Sequence, residues 1–168
     1  DGTTDLLVNL EERKHRTVAI GLSFATDVGP GATASWENRN LFGGAERLIT
    51  ELALSAPEQT YEVTLEEPMP RLPGSWTSSL LLESEITDAF EAISGTLGTG
   101  LTKTFLNSNW EIGGGIQYTF SDIIDLSDPN FPRGFEETFQ SVSFPLVTKF
   151  NNENDALNPT SGHRFRAE

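Results

Sequence analysis

The 168 residues hold two histidines, His15 and His163, and no cysteine. A nucleophilic relay needs its histidine beside both a hydroxyl and an orienting carboxylate. Neither histidine has such a set at believable spacing, so each is expected to be structural or surface-lying. Gly113-Gly114-Gly115 has the composition of a phosphate-cradling loop, but no Lys follows it and no helix opens from it. It is expected to ease curvature or close packing inside a strand. Asp122, Asp125 and Asp128 are spaced acids without the ligand pattern of an EF-hand loop, and are expected to be solvated. Glu37, Glu51, Glu62, Glu66, Glu83, Glu85 and Glu111 include pairs that could serve as the acid and base of glycoside chemistry. With one on nearly every segment, they read instead as a polar lining. No catalytic, cofactor-binding or metal-binding residue is assigned, and a non-enzyme without a cofactor is expected. The absence of cysteine removes disulfides, thiol nucleophiles and thiolate metal sites. The net charge of −14 argues against nucleic acid, whose phosphates need clustered Lys and Arg.

The elements that carry these residues alternate with period two, in segments of about ten residues. Thr17–Ala25 places Val18, Ile20, Leu22 and Phe24 on one face and Thr17, Ala19, Gly21 and Ser23 on the other. The same pattern recurs in Gly31–Asn38, Arg47–Ser55, Gln59–Glu66, Trp76–Ile86, Ala92–Leu101, Trp110–Phe120 and Thr138–Phe150. Pro145 has no N–H for a ladder, so a bulge or local break is expected there. Ala45–Leu54 and Glu83–Ile93 are rich enough in Ala, Glu and Leu to read as helices when viewed alone, but their neighbours favour strands. No run reaches the ~20 apolar residues of a membrane-crossing helix. Any crossing must therefore be made by a closed barrel, which satisfies its backbone groups in lipid.

Three features separate a membrane barrel from a soluble sandwich. The apolar face of these segments carries no Asp, Glu, Lys or Arg, as a lipid-facing surface requires. Trp36, Trp76 and Trp110 fall on one rim, while Phe24, Tyr61, Tyr118 and Phe120 fall toward the other; two aromatic girdles are what interfacial anchoring produces. Arg13, Lys14 and Arg16 precede the first strand on the Trp rim. The connections of the far rim hold Asp27, Glu58, Asp88, Glu91, Asp122, Asp125, Asp128, Glu136 and Glu137 against Arg133 alone. The longest connection, Ser121–Glu137, is expected on that far rim, which would then be extracellular and the Trp rim periplasmic. The fold class is therefore all-β: an antiparallel up-and-down transmembrane barrel, of which residues 17–168 carry part.

Two connections add a resemblance. Asn40-Leu41-Phe42-Gly43-Gly44, followed by Glu46, and Asp155 through Leu157-Asn158-Pro159-Thr160 to Gly162, resemble periplasmic turns of the bacterial surface antigen superfamily, outer-membrane assembly and translocation proteins. Gly43-Gly44 supplies permissive φ angles, and Asn158-Pro159 sets a turn by side-chain bonding and a fixed φ. Leu6–Arg13 resembles the last strand of a periplasmic POTRA domain, so residues 1–16 are expected to be the end of that domain and a linker. The resemblance implies a sixteen-stranded barrel, with eight strands here and a ninth beginning near His163. The chain begins at Asp1 with no signal-peptide pattern and ends as that strand starts, so it is expected to be the N-terminal half, cut from a longer protein.

By resemblance, the expected role is non-enzymatic: helping nascent barrel or secreted proteins insert into or cross the bacterial outer membrane. The expected partners are membrane lipid, those clients and a periplasm-spanning subunit. Thr17, Ala19, Gly21 and Ser23 belong to the strand that would act as a lateral gate. A passive porin or two-partner secretion pore, and a soluble sandwich that binds a partner, are the alternatives.

Overall fold

The computed structural model describes residues 14–26, 28–69, 73–105, 109–126, 134–155 and 157–168. The POTRA-like stretch Leu6–Arg13 lies outside them, as do Asp27, Asp128 and Arg133. Among the described residues there is no helix. The strands are β1 (Arg16–Ala25), β2 (Gly29–Asn38), β3 (Arg47–Leu54), β4 (Glu58–Pro68), β5 (Gly74–Ile86), β6 (Phe90–Phe105), β7 (Trp110–Asp125), β8 (Phe135–Ser143), β9 (Leu146–Asn151) and β10 (Arg164–Ala167). Ala45–Leu54 and Glu83–Ile93 are strands and the turns between them, because cross-strand pairing outweighs their modest helix propensity.

All pairs are antiparallel, in the order β1-β2-β3-β4-β5-β6-β7-β9-β10, with β8 on the remaining part of β7. The eight expected strands, with the ninth expected near His163 (here β10), become ten through one change: the expected strand Thr138–Phe150 divides at Pro145. No residue is inserted at that division: Ser143 lies opposite Gln117 and Leu146 opposite Gly114, so β8 and β9 share one register on β7. Gly115 donates to the Pro145 carbonyl at 3.0 Å, and proline has no N–H to return the bond. The result is a break without a bulge.

β6 and β7 run past their expected ends. Ser121–Asp125 pairs with Phe90–Ser94, and the far connection shrinks to residues 126–134. The other far connections span only three residues each, 26–28, 55–57 and 87–89, whereas the Trp rim carries the longer segments 39–46 and 152–163. Loop length therefore does not distinguish the rims as expected. Ser121 and Asp122 broke the apolar alternation, yet backbone pairing with β6 does not require it.

Constant registers keep one face largely apolar through the body of the sheet, but along β8 the faces mix: Glu136, Thr138 and Gln140 stand on the apolar face, and Phe135 and Phe139 on the polar one. No apolar residue among those described is buried; Val18 is 67% and Leu22 86% exposed. The hollows of the sheet fall on the opposite face, over Gly21, Thr33, Glu51 and Glu62 and over Ser79, Gly98, Gly100, Gly113 and Gly115. The polar face is therefore concave and the apolar face convex. Gly100 and Gly115 oppose each other on the concave side. A methyl at Gly115 would stand 2.6 Å from the Thr99 carbonyl oxygen. The missing side chains are what let the strands approach and curl there, as expected for Gly113-Gly114-Gly115.

Candidate functional site

β1 pairs on one side only, with β2. Arg39 donates its N–H to the His15 carbonyl at 2.9 Å. In an antiparallel ladder the inward- and outward-directed backbone groups alternate. In this register His15, Thr17, Ala19, Gly21 and Ser23 therefore direct their backbone groups to β2. Val18, Ile20, Leu22 and Phe24 direct theirs to the free edge, where no described strand receives them. The side chains of the edge-bonding residues are the apolar, convex ones. Those of Thr17, Ala19, Gly21 and Ser23 line the concave face, where Gly21 lies opposite Thr33 and Ser23 opposite Gly31. This combination arises because the period of the ladder and the period of the side chains are both two.

The end of β1 nearest the Trp rim is held by ions. Glu37 on β2 accepts from Arg39 at 2.7 and 3.1 Å and from Arg47 of β3 at 2.6 Å. Arg39 also reaches Thr17 Oγ1 at 3.4 Å. Among the described residues no ion pair is found at the far end, where Phe24 faces Pro30 and Ala25 faces Gly29.

The concave lining is polar and carries opposed carboxylates. Glu51 lies directly across from Glu62, and Glu58 from Glu85. Lys149 pairs with Glu111 at 2.6 Å. Among the described residues, no cluster of His, Cys, Asp or Glu has the arrangement of a metal site. His15 and His163 are exposed and are held through backbone atoms, His163 by its N–H to Asn152 Oδ1 at 2.6 Å.

Side chains set the two turns. Glu46 folds back to accept from the N–H groups of Phe42 at 3.1 Å and Gly44 at 3.0 Å, and its own backbone N–H, with smaller help from those of Gly44 and Phe42, holds its carboxyl below the usual carboxylate range. Asn40 accepts from Ala45 N at 3.0 Å, and Leu41 N donates to the Glu46 carbonyl at 3.3 Å. The positive φ angles fall on Gly43 and Ala45, not on Gly44. In the second turn, Asp155 accepts from Leu157 N at 2.8 Å and Asn158 N at 3.0 Å, which lowers its pKa. Asn154 accepts from Thr160 N and Ser161 N at 3.0 Å each. Asp155 and Asn154, rather than Asn158, are the acceptors that shape the path through Pro159, and Gly162 carries the positive φ that follows. Phe42 and Leu157 project from the two turns, 75% and 97% exposed.

Trp36, Tyr61, Trp76, Trp110, Tyr118 and Phe120 stand on the convex face, whereas Phe90, Phe135 and Phe139 fall on the concave one. Trp36 lies between Val18 and Thr50 near the end of β2. Trp76 turns its indole N–H back along the sheet, to Thr99 at 2.8 Å and Ser78 at 3.1 Å. Trp110 packs on Phe150, ring centroids 4.8 Å apart. Tyr61 sits between Leu52 and Leu82. Tyr118 and Phe120 stand inside β7 rather than at its far end, because β7 continues to Asp125.

A single antiparallel, up-and-down sheet, curled with its polar side inward and open at both edges, is the architecture of part of a β-barrel wall. Among solved structures it is similar to BamA from Haemophilus ducreyi lacking POTRA domains 1–3, with a TM-score of 0.64 and 17% sequence identity. The match covers 92% of this chain and 33% of that one, so the chain spans about a third of the length of the protein it matches. No family model matches the chain. The likeness is one of fold.

Proposed function

We propose that the chain is the N-terminal half of a transmembrane barrel in the bacterial outer membrane. The protein carrying it would be a non-enzymatic assembly or translocation factor, of the kind represented by BamA and the translocation and assembly module subunit TamA. Its clients are nascent barrel or secreted proteins. Each large side chain of the convex face would gain about 1.5–3 kcal/mol on leaving water, and no second sheet covers that face among the described residues. Lipid is the partner this face fits.

The observation that carries the assembly role is the free edge of β1. An incoming strand can add to it through main-chain bonds, with little demand on client sequence. The small concave side chains Thr17, Ala19, Gly21 and Ser23 leave room for it, and a weakly specified register suits exchange. The direction of the edge groups adds a requirement: client residues opposite Val18, Ile20, Leu22 and Phe24 share their lipid-facing side. Cysteine at Ala19 or Gly21 in the full-length protein should crosslink to a nascent barrel client. Active protein that forms no client adduct would sink the gate.

The polar concave lining also suits a passive porin or a two-partner secretion pore. Conductance through the full-length protein, with no assembly defect when its gene is deleted, would favour that reading.

A further inference from the structure

The Trp-rim ends of β6, β7, β9 and β10 bring four aromatic side chains into one line. Phe105 lies directly opposite Trp110, Trp110 opposite Phe150, and Phe150 opposite Phe165. By the parity of the sheet all four stand on the convex face. One step further into the sheet on the same face is Lys103, between Gly74 and Ile112. Its ammonium does not project straight outward. It turns back toward the rim and lies 4.5 Å from the centre of the Phe105 ring.

Charge on the convex face is confined to strand ends, and its sign changes from place to place. Near the Trp rim stand Arg16, Lys103 and Glu67, while Glu91, Asp122 and Glu136 stand toward the far rim. Within the four-strand aromatic sector, Lys103 is the charge that the convex face of the described residues presents. Lys149, Arg164 and Arg166 of β9 and β10 fall on the concave face, where they pair with Glu111, Glu153 and Glu168. The neighbouring sector is different: Trp76 lies opposite Glu67, and its indole N–H is already occupied by Ser78 and Thr99.

A lysine on a lipid-facing strand costs roughly 2–4 kcal/mol at the midplane and about 0–1 near the interface. Its stem can run along apolar surface while the ammonium reaches the headgroups. Aromatic rings collect at that same level. Lys103 and the aromatic line therefore mark one depth, and together they offer a point cation above a flat apolar shelf. We propose that this sector holds an anionic glycerophospholipid, its phosphate on Lys103 and its upper acyl chain and glycerol against Phe105, Trp110, Phe150 and Phe165. The inference rests on the membrane-spanning reading and goes beyond it by giving one part of the perimeter a lipid preference.

One basic residue near an anionic membrane surface is worth a preference of about fivefold. The test is photolabelling of the full-length protein in phosphatidylcholine vesicles. The probes are photoactivatable phosphatidylglycerol and photoactivatable phosphatidylcholine with the same acyl chains, and the adducts are mapped by mass spectrometry. Labelling at the rim ends of β6, β7, β9 and β10 should favour phosphatidylglycerol about fivefold. The preference should vanish in K103Q, persist in K103R, and be unchanged in K149Q, which alters the concave face. Equal labelling by the two lipids in the parent protein, or a preference that survives K103Q, would overturn the proposal. If K103Q fails to fold, judged by heat-modifiable mobility, K103R and K149Q still decide it: loss of preference in K103R, or in K149Q, counts against it. Labelling of no convex residue by either lipid would instead overturn the membrane-spanning reading beneath it.

Discussion

Gly115 and Pro145 share a single hydrogen bond, Gly115 N–H to Pro145 O at 3.0 Å, where an ordinary antiparallel pair would exchange two. The strand is interrupted at the proline and yet continues on the same register, because nothing but one donor has been removed. Opposite Gly115 on its other side stands Gly100. A close approach of backbones on the concave face, 2.6 Å from a Gly115 methyl position to the Thr99 carbonyl oxygen, thus lies beside the interruption of the neighbouring ladder.

G115A should be poorly tolerated. The added methyl would meet the Thr99 carbonyl at 2.6 Å, a backbone group that cannot rotate away, and overpacking of this kind costs about 1–3 kcal/mol. G114A, on the convex side, would meet the flexible end of the Leu146 side chain at 3.1 Å and the Pro145 carbonyl oxygen at an ordinary 3.9 Å. Urea unfolding of the full-length protein from bilayers should place the G115A midpoint below that of G114A. Equal midpoints would remove the curvature argument.

Ala45 holds a left-handed backbone, φ 66°, which costs a residue with a Cβ about 1–2 kcal/mol. Glycine relieves that strain while adding roughly 0.5–1 kcal/mol of unfolded-chain entropy. A45G should raise stability by the difference, roughly 0.5–1 kcal/mol. A decrease in the unfolding midpoint would show that the turn is not strained there.

The two faces should respond differently to charge. Leu97 stands on the convex face between Leu80 and Tyr118, and L97K should cost about 2–4 kcal/mol in a bilayer. Ser94 stands on the concave face, where its hydroxyl donates to Glu83 at 3.3 Å. S94K should fold into bilayers as the parent does. The measurement is the fraction folded into vesicles as a function of urea; matching losses in the two variants would refute a lipid-facing convex side.

Both rim turns should loosen in acid. The carboxyls of Glu46 and Asp155 have folded-state pKa values below the usual carboxylate range, and the cause is the backbone N–H groups they accept. A depressed pKa contributes stability that is fully present above the unfolded-state value and is lost as pH falls through the folded-state value. Amide exchange at Phe42, Gly44, Leu157 and Asn158 should therefore stay slow down through the ordinary carboxylate range and quicken only below it. E46Q and D155N should exchange faster already at neutral pH. Protection that does not change with pH would separate the turns from these carboxylates.

The alternation of Thr17–Ala25 and its successors made the sheet and its two faces legible from the chain alone, because side chains alternate sides with a period that any short window contains. Pro145 likewise announced a break, since its missing donor is a property of the residue itself. The ladder decided the rest. Glu58, Glu91, Asp122, Asp125, Glu136 and Glu137, expected in connections, lie within β4, β6, β7 and β8. That Ser121–Asp125 continues β7, that Tyr118 stands inside its strand, and that Ala45 rather than Gly44 takes the positive φ depend on neighbours distant in sequence. Phe105, Trp110, Phe150 and Phe165 stand in one line, and Val18, Ile20, Leu22 and Phe24 turn their backbone groups to an open edge, for the same reason. Register is a relation between strands, set by hydrogen bonds that pair residues many positions apart, and no single strand carries it.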